Sequence, residues 1–115
     1  MQTNNMQNLL FICSRNQWRS PTAETIWKKS TSLNVRSAGT SPHAKKTISP
    51  ADIRWADIIF VMEEKHKNRL LAKFTPMLDY KRLYVLDIPD DYKYMDAKLI
   101  DILRTSVLDI LGDIR

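Results

Sequence analysis

The run Asn8–Cys13 (NLLFIC) is apolar on both faces of an extended chain and ends at a cysteine, where a polar, basic stretch begins at once. A strand with no side for water has to be covered on both sides, as interior strands of parallel sheets are. Asp57–Met62 (DIIFVM) has the same character, Leu83–Leu86 (LYVL) is a shorter strand, and Leu33–Ser37 (LNVRS) alternates like a strand. Between these runs lie helical stretches. Ser20-Pro21-Thr22-Ala23-Glu24 opens a helix reaching about Ser30, with Ser20 as cap and Pro21 at the first helical position. Ala38–Pro42 reads as a loop, and Ser49-Pro50-Ala51-Asp52 starts a short helix to Trp55. Glu63–Phe74 is an exposed helix beginning with two acids, and after the acidic loop Asp87–Asp91 a last helix runs from about Asp96 to Leu111, stopped by Gly112. Alternating strands and helices predict a doubly wound α/β fold, a parallel sheet with helices on both faces. Ligands of such sheets bind beyond the carboxyl ends of the strands, which directs attention to residues 13–20 and 87–92.

No linker, repeat or low-complexity stretch divides the 115 residues, so residues 8–115 are expected to form a single domain behind a disordered tail, 1–7. The longest apolar runs are strand-sized, which argues against a membrane span, and the polar N-terminal stretch lacks the features of a signal peptide. One cysteine excludes an internal disulfide and a multi-thiolate metal site, and a reducing cytoplasm is the expected home. The formal charge of +5 is uneven: residues 1–86 carry 14 Lys/Arg against 6 Asp/Glu, and residues 87–115 carry 4 against 7. A basic body favours anionic partners, although scattered surface lysines produce the same balance.

The chemistry is expected in Cys13-Ser14-Arg15-Asn16-Gln17-Trp18-Arg19-Ser20. Backbone N–H groups released at a strand end can curl into a nest for a tetrahedral oxyanion, and the following helix N-terminus adds partial positive charge. A thiol at the base of such a nest is in the setting that favours thiolate. Arg19, six positions on, can curl back and grip two phosphoryl oxygens with its planar fork. A buried structural cysteine and a surface arginine are the plainer alternative, but they leave the arginine, serine and proline at the helix start without a reason.

Leu9-Leu10-Phe11-Ile12-Cys13 followed by Asn16, Arg19-Ser20-Pro21 and Glu24 resembles the phosphate-binding loop of the low-molecular-weight protein tyrosine phosphatases. Similarity continues, in order, through Ser37-Ala38-Gly39-Thr40, Asp57–Met62 and Ile88-Pro89-Asp90-Asp91-Tyr92. The resemblance implies a flavodoxin-like, four-stranded parallel sheet of strand order 2-1-3-4. It implies that Cys13 is the nucleophile, that Arg19 clamps the transition state, and that Ser14, Arg15, Asn16, Gln17, Trp18 and Ser20 complete the loop. Within it Ser20 would donate its hydroxyl to the Cys13 sulfur and Asn16 would hold a strained backbone turn, a role its tolerance of the left-handed region suits. Ser20 as a plain helix cap and Asn16 as an ordinary loop residue are the alternatives.

The family's general acid is an aspartate followed by proline and an aromatic residue. Asp90-Asp91-Tyr92 matches with the proline replaced, which nominates Asp90 and leaves Asp91 and Asp87 as rivals. Tyr92 and Tyr94 are candidate walls for an aromatic substrate, and Tyr94 could equally pack against the last helix. Other departures are a segment between Gly39 and Asp57 shorter than in typical members, removing a helix and much of one substrate wall. Arg15 stands where the family usually has glycine, and Trp18 where many members carry a second cysteine. His43 and His66 have no counterpart and are expected at the surface.

The leading expectation is therefore a monoester phosphatase of the protein tyrosine phosphatase kind, acting through a phosphocysteine on a phosphorylated protein, phosphotyrosine first, or on a small phosphate ester. No metal or organic cofactor, no nucleic acid and no membrane is expected as partner, and the chain is expected as a monomer or weak dimer. A phosphate-binding module without turnover is the alternative from another class. An arsenate reductase would need additional cysteines, and nucleic-acid binding lacks a recognised motif and would set Asp90 and Asp91 against the same anion.

Overall fold

The computed structural model describes residues 6–112. Four strands, β1 (Gln7–Cys13), β2 (Leu33–Gly39), β3 (Ile58–Val61) and β4 (Arg82–Val85), alternate with α1 (Arg19–Trp27), α2 (Pro50–Trp55), α3 (Glu64–Phe74) and α4 (Ala97–Leu111). All pairings are parallel and the order is β2-β1-β3-β4. This is the doubly wound parallel sheet that the alternating runs predict, with the flavodoxin-like order that the resemblance implies. Of the tail expected over residues 1–7, residues 1–5 lie outside the described residues, while Gln7 already pairs with Leu33 in β1.

Alternation along β1 separates two cores. Leu9, Phe11 and Cys13 face one side with Ile58 and Phe60, where Ala23 and Trp27 of α1 and Leu99, Leu103 and Val107 of α4 cover them. Leu10 and Ile12 face the other, with Ile59 and Val61, under Ile53 of α2 and Leu70 and Phe74 of α3. Phe11 is sandwiched between Trp27, 5.6 Å away, and Phe60, 5.2 Å away, in near-parallel stacks. Burying each such side chain contributes about 1.5–3 kcal/mol, which explains why the central strands need no polar residues.

Two elements differ most from the sequence reading, while β3 and β4 shift by a residue at their ends. β2 runs on through Ala38 and Gly39, which were expected in a loop, because Gly39 pairs with Cys13. α1 starts at Arg19 and ends at Trp27, with Trp18 rather than Ser20 at the cap position and no side chain capping it. Ser20 is inside the first turn because its hydroxyl has other partners, described below. By contrast, Ser49 and Asp52 form a reciprocal capping box on α2, and Asp96 caps α4 through the Lys98 and Leu99 amides.

Candidate active site

The parallel sheet brings the carboxyl ends of all four strands to one edge, and β1 ends at Cys13 in its middle. Residues 14–18 then turn back into α1. Three carbonyls of that turn are tied outward by the segment after β2: the Thr40 amide donates to Cys13 O at 3.0 Å, Ser41 to Ser14 O at 2.9 Å and Lys45 to Arg15 O at 3.0 Å. With its carbonyls engaged outside, the loop can present amides inward, and the first-turn amides of α1 have no side-chain cap competing for them. The segment that the sequence reading described as shortened thus forms the outer brace of this loop. Gly39 permits the close approach, since a β-carbon there would meet Ser14 O at 2.5 Å and the Ala44 Cβ at 2.6 Å.

Asn16 occupies the left-handed region at φ 52° and is buried. Its Nδ2 donates to Ser20 Oγ at 3.0 Å and to Ser37 Oγ at 2.9 Å, while the Ser37 hydroxyl donates to Glu24 Oε1 at 2.5 Å. Ser20 Oγ therefore accepts from Asn16, and its proton has two acceptors in reach, the Cys13 sulfur at 3.0 Å and, at a longer 3.5 Å, Ala38 O.

Arg19 is 2% exposed because it lies on the stripe of α1 that buries Ala23 and Trp27, four and eight residues further on. Its Nη1 donates to Ile88 O at 2.8 Å and lies 3.4 Å from Glu63 Oε1, and its Nε lies 3.6 Å from Asp90 Oδ1. The Asp90 loop is held against α1 at further points, where the Met95 amide donates to Thr22 Oγ1 and the Tyr94 hydroxyl meets Thr25 Oγ1. A cavity of about 40 Å³ results, lined by Cys13, Ser14, Arg15, Gln17, Trp18, Arg19 and Asp90. Neither rival acid lines it: Asp87 and Asp91 are exposed outside. The two tyrosines stand elsewhere as well. Tyr92 packs on the α1/α4 core, and Tyr94 borders a neighbouring groove shared with Glu24 and Lys45. The aromatic wall beside Cys13 is Trp18, with Lys93 Nζ 5.7 Å from its ring centroid.

Two residues at this edge escaped the sequence reading. His43 is exposed as expected, but His66 is fully buried. Its Nε2 lies 2.9 Å from Ser14 Oγ and its Nδ1 accepts the Glu63 amide at 3.0 Å. Burial, foremost, and then the positive charge of Arg19 push the imidazole down to about 4, against the opposing pull of Glu63. The signal was present in the spacing, because His66, Leu70 and Phe74 form one buried stripe of α3. Glu63 is the other. Burial alone would raise its carboxyl, but the charges of Arg19 and Lys65 outweigh this and hold it below its usual range. Its Oε1 lies 3.4 Å from each cation, without a hydrogen bond to either.

Among the described residues no group of three or more His, Cys, Asp or Glu is placed to hold a metal ion, and no helix is long and apolar enough to cross a membrane.

Residues 8–55 match the family model described as Low molecular weight phosphotyrosine protein phosphatase. The chain is similar in structure to the YwlE arginine phosphatase from Geobacillus stearothermophilus, at 22% identity and a TM-score of 0.72, covering 91% of this chain and 92% of that one. It is also similar to SP-PTP, a low molecular weight protein tyrosine phosphatase from Streptococcus pyogenes, at 20% identity and a TM-score of 0.73, covering 93% and 92%. A third similar structure is the tyrosine phosphatase Wzb from Escherichia coli K30 in complex with phosphate, at 19% identity and a TM-score of 0.73, covering 93% and 99%. No curated protein matches the chain in sequence.

Proposed function

We propose that this chain, which resembles the low-molecular-weight protein tyrosine phosphatases in its loop and its fold, hydrolyses phosphate monoesters at Cys13, with phosphotyrosine or a small aryl phosphate as substrate class. The observation that carries the reading is the meeting of Cys13, Arg19 and Asp90 in one cavity, with the Ser20 hydroxyl 3.0 Å from the sulfur. The Cys13 thiolate attacks phosphorus, forming a P–S bond as the P–O bond to the leaving group breaks. Asp90 protonates the departing oxygen and then, as carboxylate, takes a proton from the water that attacks the phosphocysteine. Arg19 holds two equatorial oxygens, and Ile88 O and Glu63 fix its fork from behind. The Ser20 proton stabilises the thiolate on attack and again on departure.

The test is turnover of p-nitrophenyl phosphate by the wild type and by Cys13→Ser. Turnover is expected to disappear in the variant while inorganic phosphate still binds, because an alcohol does not ionise at neutral pH and the backbone nest is intact. Residual activity beyond a trace would remove Cys13 as nucleophile. Because the shared fold includes an arginine phosphatase as well as tyrosine phosphatases, phosphotyrosine and phosphoarginine peptides are compared in the same assay. A higher kcat/KM for phosphotyrosine is expected, and the reverse order would reassign the substrate class.

A further inference from the structure

We propose that Ser14 is a phosphate-binding residue whose hydroxyl proton is aimed at a phosphoryl oxygen by His66, which acts as a positioning residue through Ser14. The inference rests on the reading of the Cys13 cavity as a phosphate site. It starts from a proton count. The Glu63 backbone N–H can only donate, so the Nδ1 it meets at 3.0 Å carries a lone pair. In a neutral imidazole the single proton is then on Nε2, which faces Ser14 Oγ at 2.9 Å and must donate to it. The ring is neutral at pH 7, since burial and the nearby charges of Arg19, Lys65 and Arg69 outweigh the attraction of Glu63. Ser14 Oγ is thereby an acceptor from His66, and its one proton has to go elsewhere. Among the described residues no acceptor takes it, and Ser14 is one of the residues that line the cavity together with Cys13 and Arg19.

The arrangement mirrors that of Ser20. There Asn16 fills the hydroxyl's acceptor role, so the proton is left for the sulfur at 3.0 Å or for Ala38 O at 3.5 Å; here His66 fills it, so the proton faces the space a phosphoryl oxygen would occupy. A hydrogen bond to a charged oxygen is worth about tenfold or more in affinity. A histidine that merely fastened the N-terminus of α3 to the loop would need Ser14 only as an acceptor, with no consequence for the anion.

The experiment uses the whole chain and two readouts: the inhibition constant of inorganic phosphate against p-nitrophenyl phosphate, and phosphate protection of Cys13 from iodoacetamide, which needs no turnover. Ser14→Ala removes the hydroxyl without disturbing the core and is expected to weaken phosphate about tenfold. His66→Phe is expected to weaken it to a similar extent, with the double variant no weaker than Ser14→Ala alone. His66→Gln, which retains an N–H donor, is expected to recover most of the affinity. Unchanged phosphate affinity in Ser14→Ala would overturn the proposal, and so would losses that multiply in the double variant. If His66→Phe does not fold, Ser14→Ala and His66→Gln decide the matter without it. A wild type that is protected by phosphate but turns nothing over would end the phosphatase reading and leave this one standing. Turnover by a wild type whose Ser14→Ala variant binds phosphate unaltered would do the opposite.

Discussion

Asp90 and Asp91 are adjacent carboxylates in an acidic loop, and only one of them reaches the cavity. Asp90 Oδ1 is 3.6 Å from Arg19 Nε, whereas Asp91 is exposed away from it. Asp90→Asn is therefore expected to slow aryl phosphate turnover by about 10²–10⁴ and to erase the high-pH limb of the rate profile. Asp91→Asn should stay within severalfold of wild type, and a larger loss there would shift the acid by one position. Cys13 and Arg19 were legible in the sequence because a fixed spacing after an apolar strand leaves few arrangements for them. His66 was not, because it reads as a solvent-facing residue unless its register with Leu70 and Phe74 is noticed. The donor assignment at Ser14 depends on a contact with His66 across 52 positions of chain, and the Asn16 amide beside Ser20 is held by Ser37 across 21, which no local pattern contains.

At the scale of elements, α1 and α3 solve the same problem. Each presents a buried stripe to the sheet at four-residue spacing, Arg19-Ala23-Trp27 in one and His66-Leu70-Phe74 in the other, and each stripe ends at the site with a polar side chain. Packing of the apolar members thus positions the polar member rigidly. The turn between β1 and α1 is braced by residues 40–45, and Gly39 is where brace and loop come closest. Gly39→Ala is expected to cost about 1–3 kcal/mol of stability in urea unfolding and to lower kcat/KM, since either Ser14 O or Ala44 must move. Wild-type stability in that variant would show that the brace yields freely. Strand and helix order followed from the apolar runs, while the boundaries near Gly39 and Ser20 did not, because there hydrogen bonds to the site rather than local propensity decide them.

Across the whole molecule, acid should loosen the fold through its own site. In the unfolded chain His66 protonates near 6.5, and in the folded chain it does so only at about 4. Its contribution is fully present above pH 6.5 and is lost as pH falls from there towards 4, at no more than about 1.4 kcal/mol per pH unit. Glu63, also held below its usual value, adds a loss of the same sign at lower pH. Urea midpoints measured between pH 7 and 4 should fall more steeply for the wild type than for His66→Gln, and parallel slopes would exclude His66 as the titrating group.

The placement of Trp18 has an optical consequence. Of the three tryptophans, Trp27 is stacked on Phe11 in the core and Trp55 lies under the Arg36 guanidinium at 4.3 Å, both away from the cavity. Trp18 alone stands at the cavity, with the ammonium of Lys93 near its ring. An anion entering the cavity would change the field at that indole, which would make Trp18 a built-in reporter of binding. Titration with inorganic phosphate should change the intrinsic emission along a saturable curve whose midpoint equals the inhibition constant. Trp18→Phe should bind phosphate in silence, and a signal that persisted in that variant would place the reporter elsewhere.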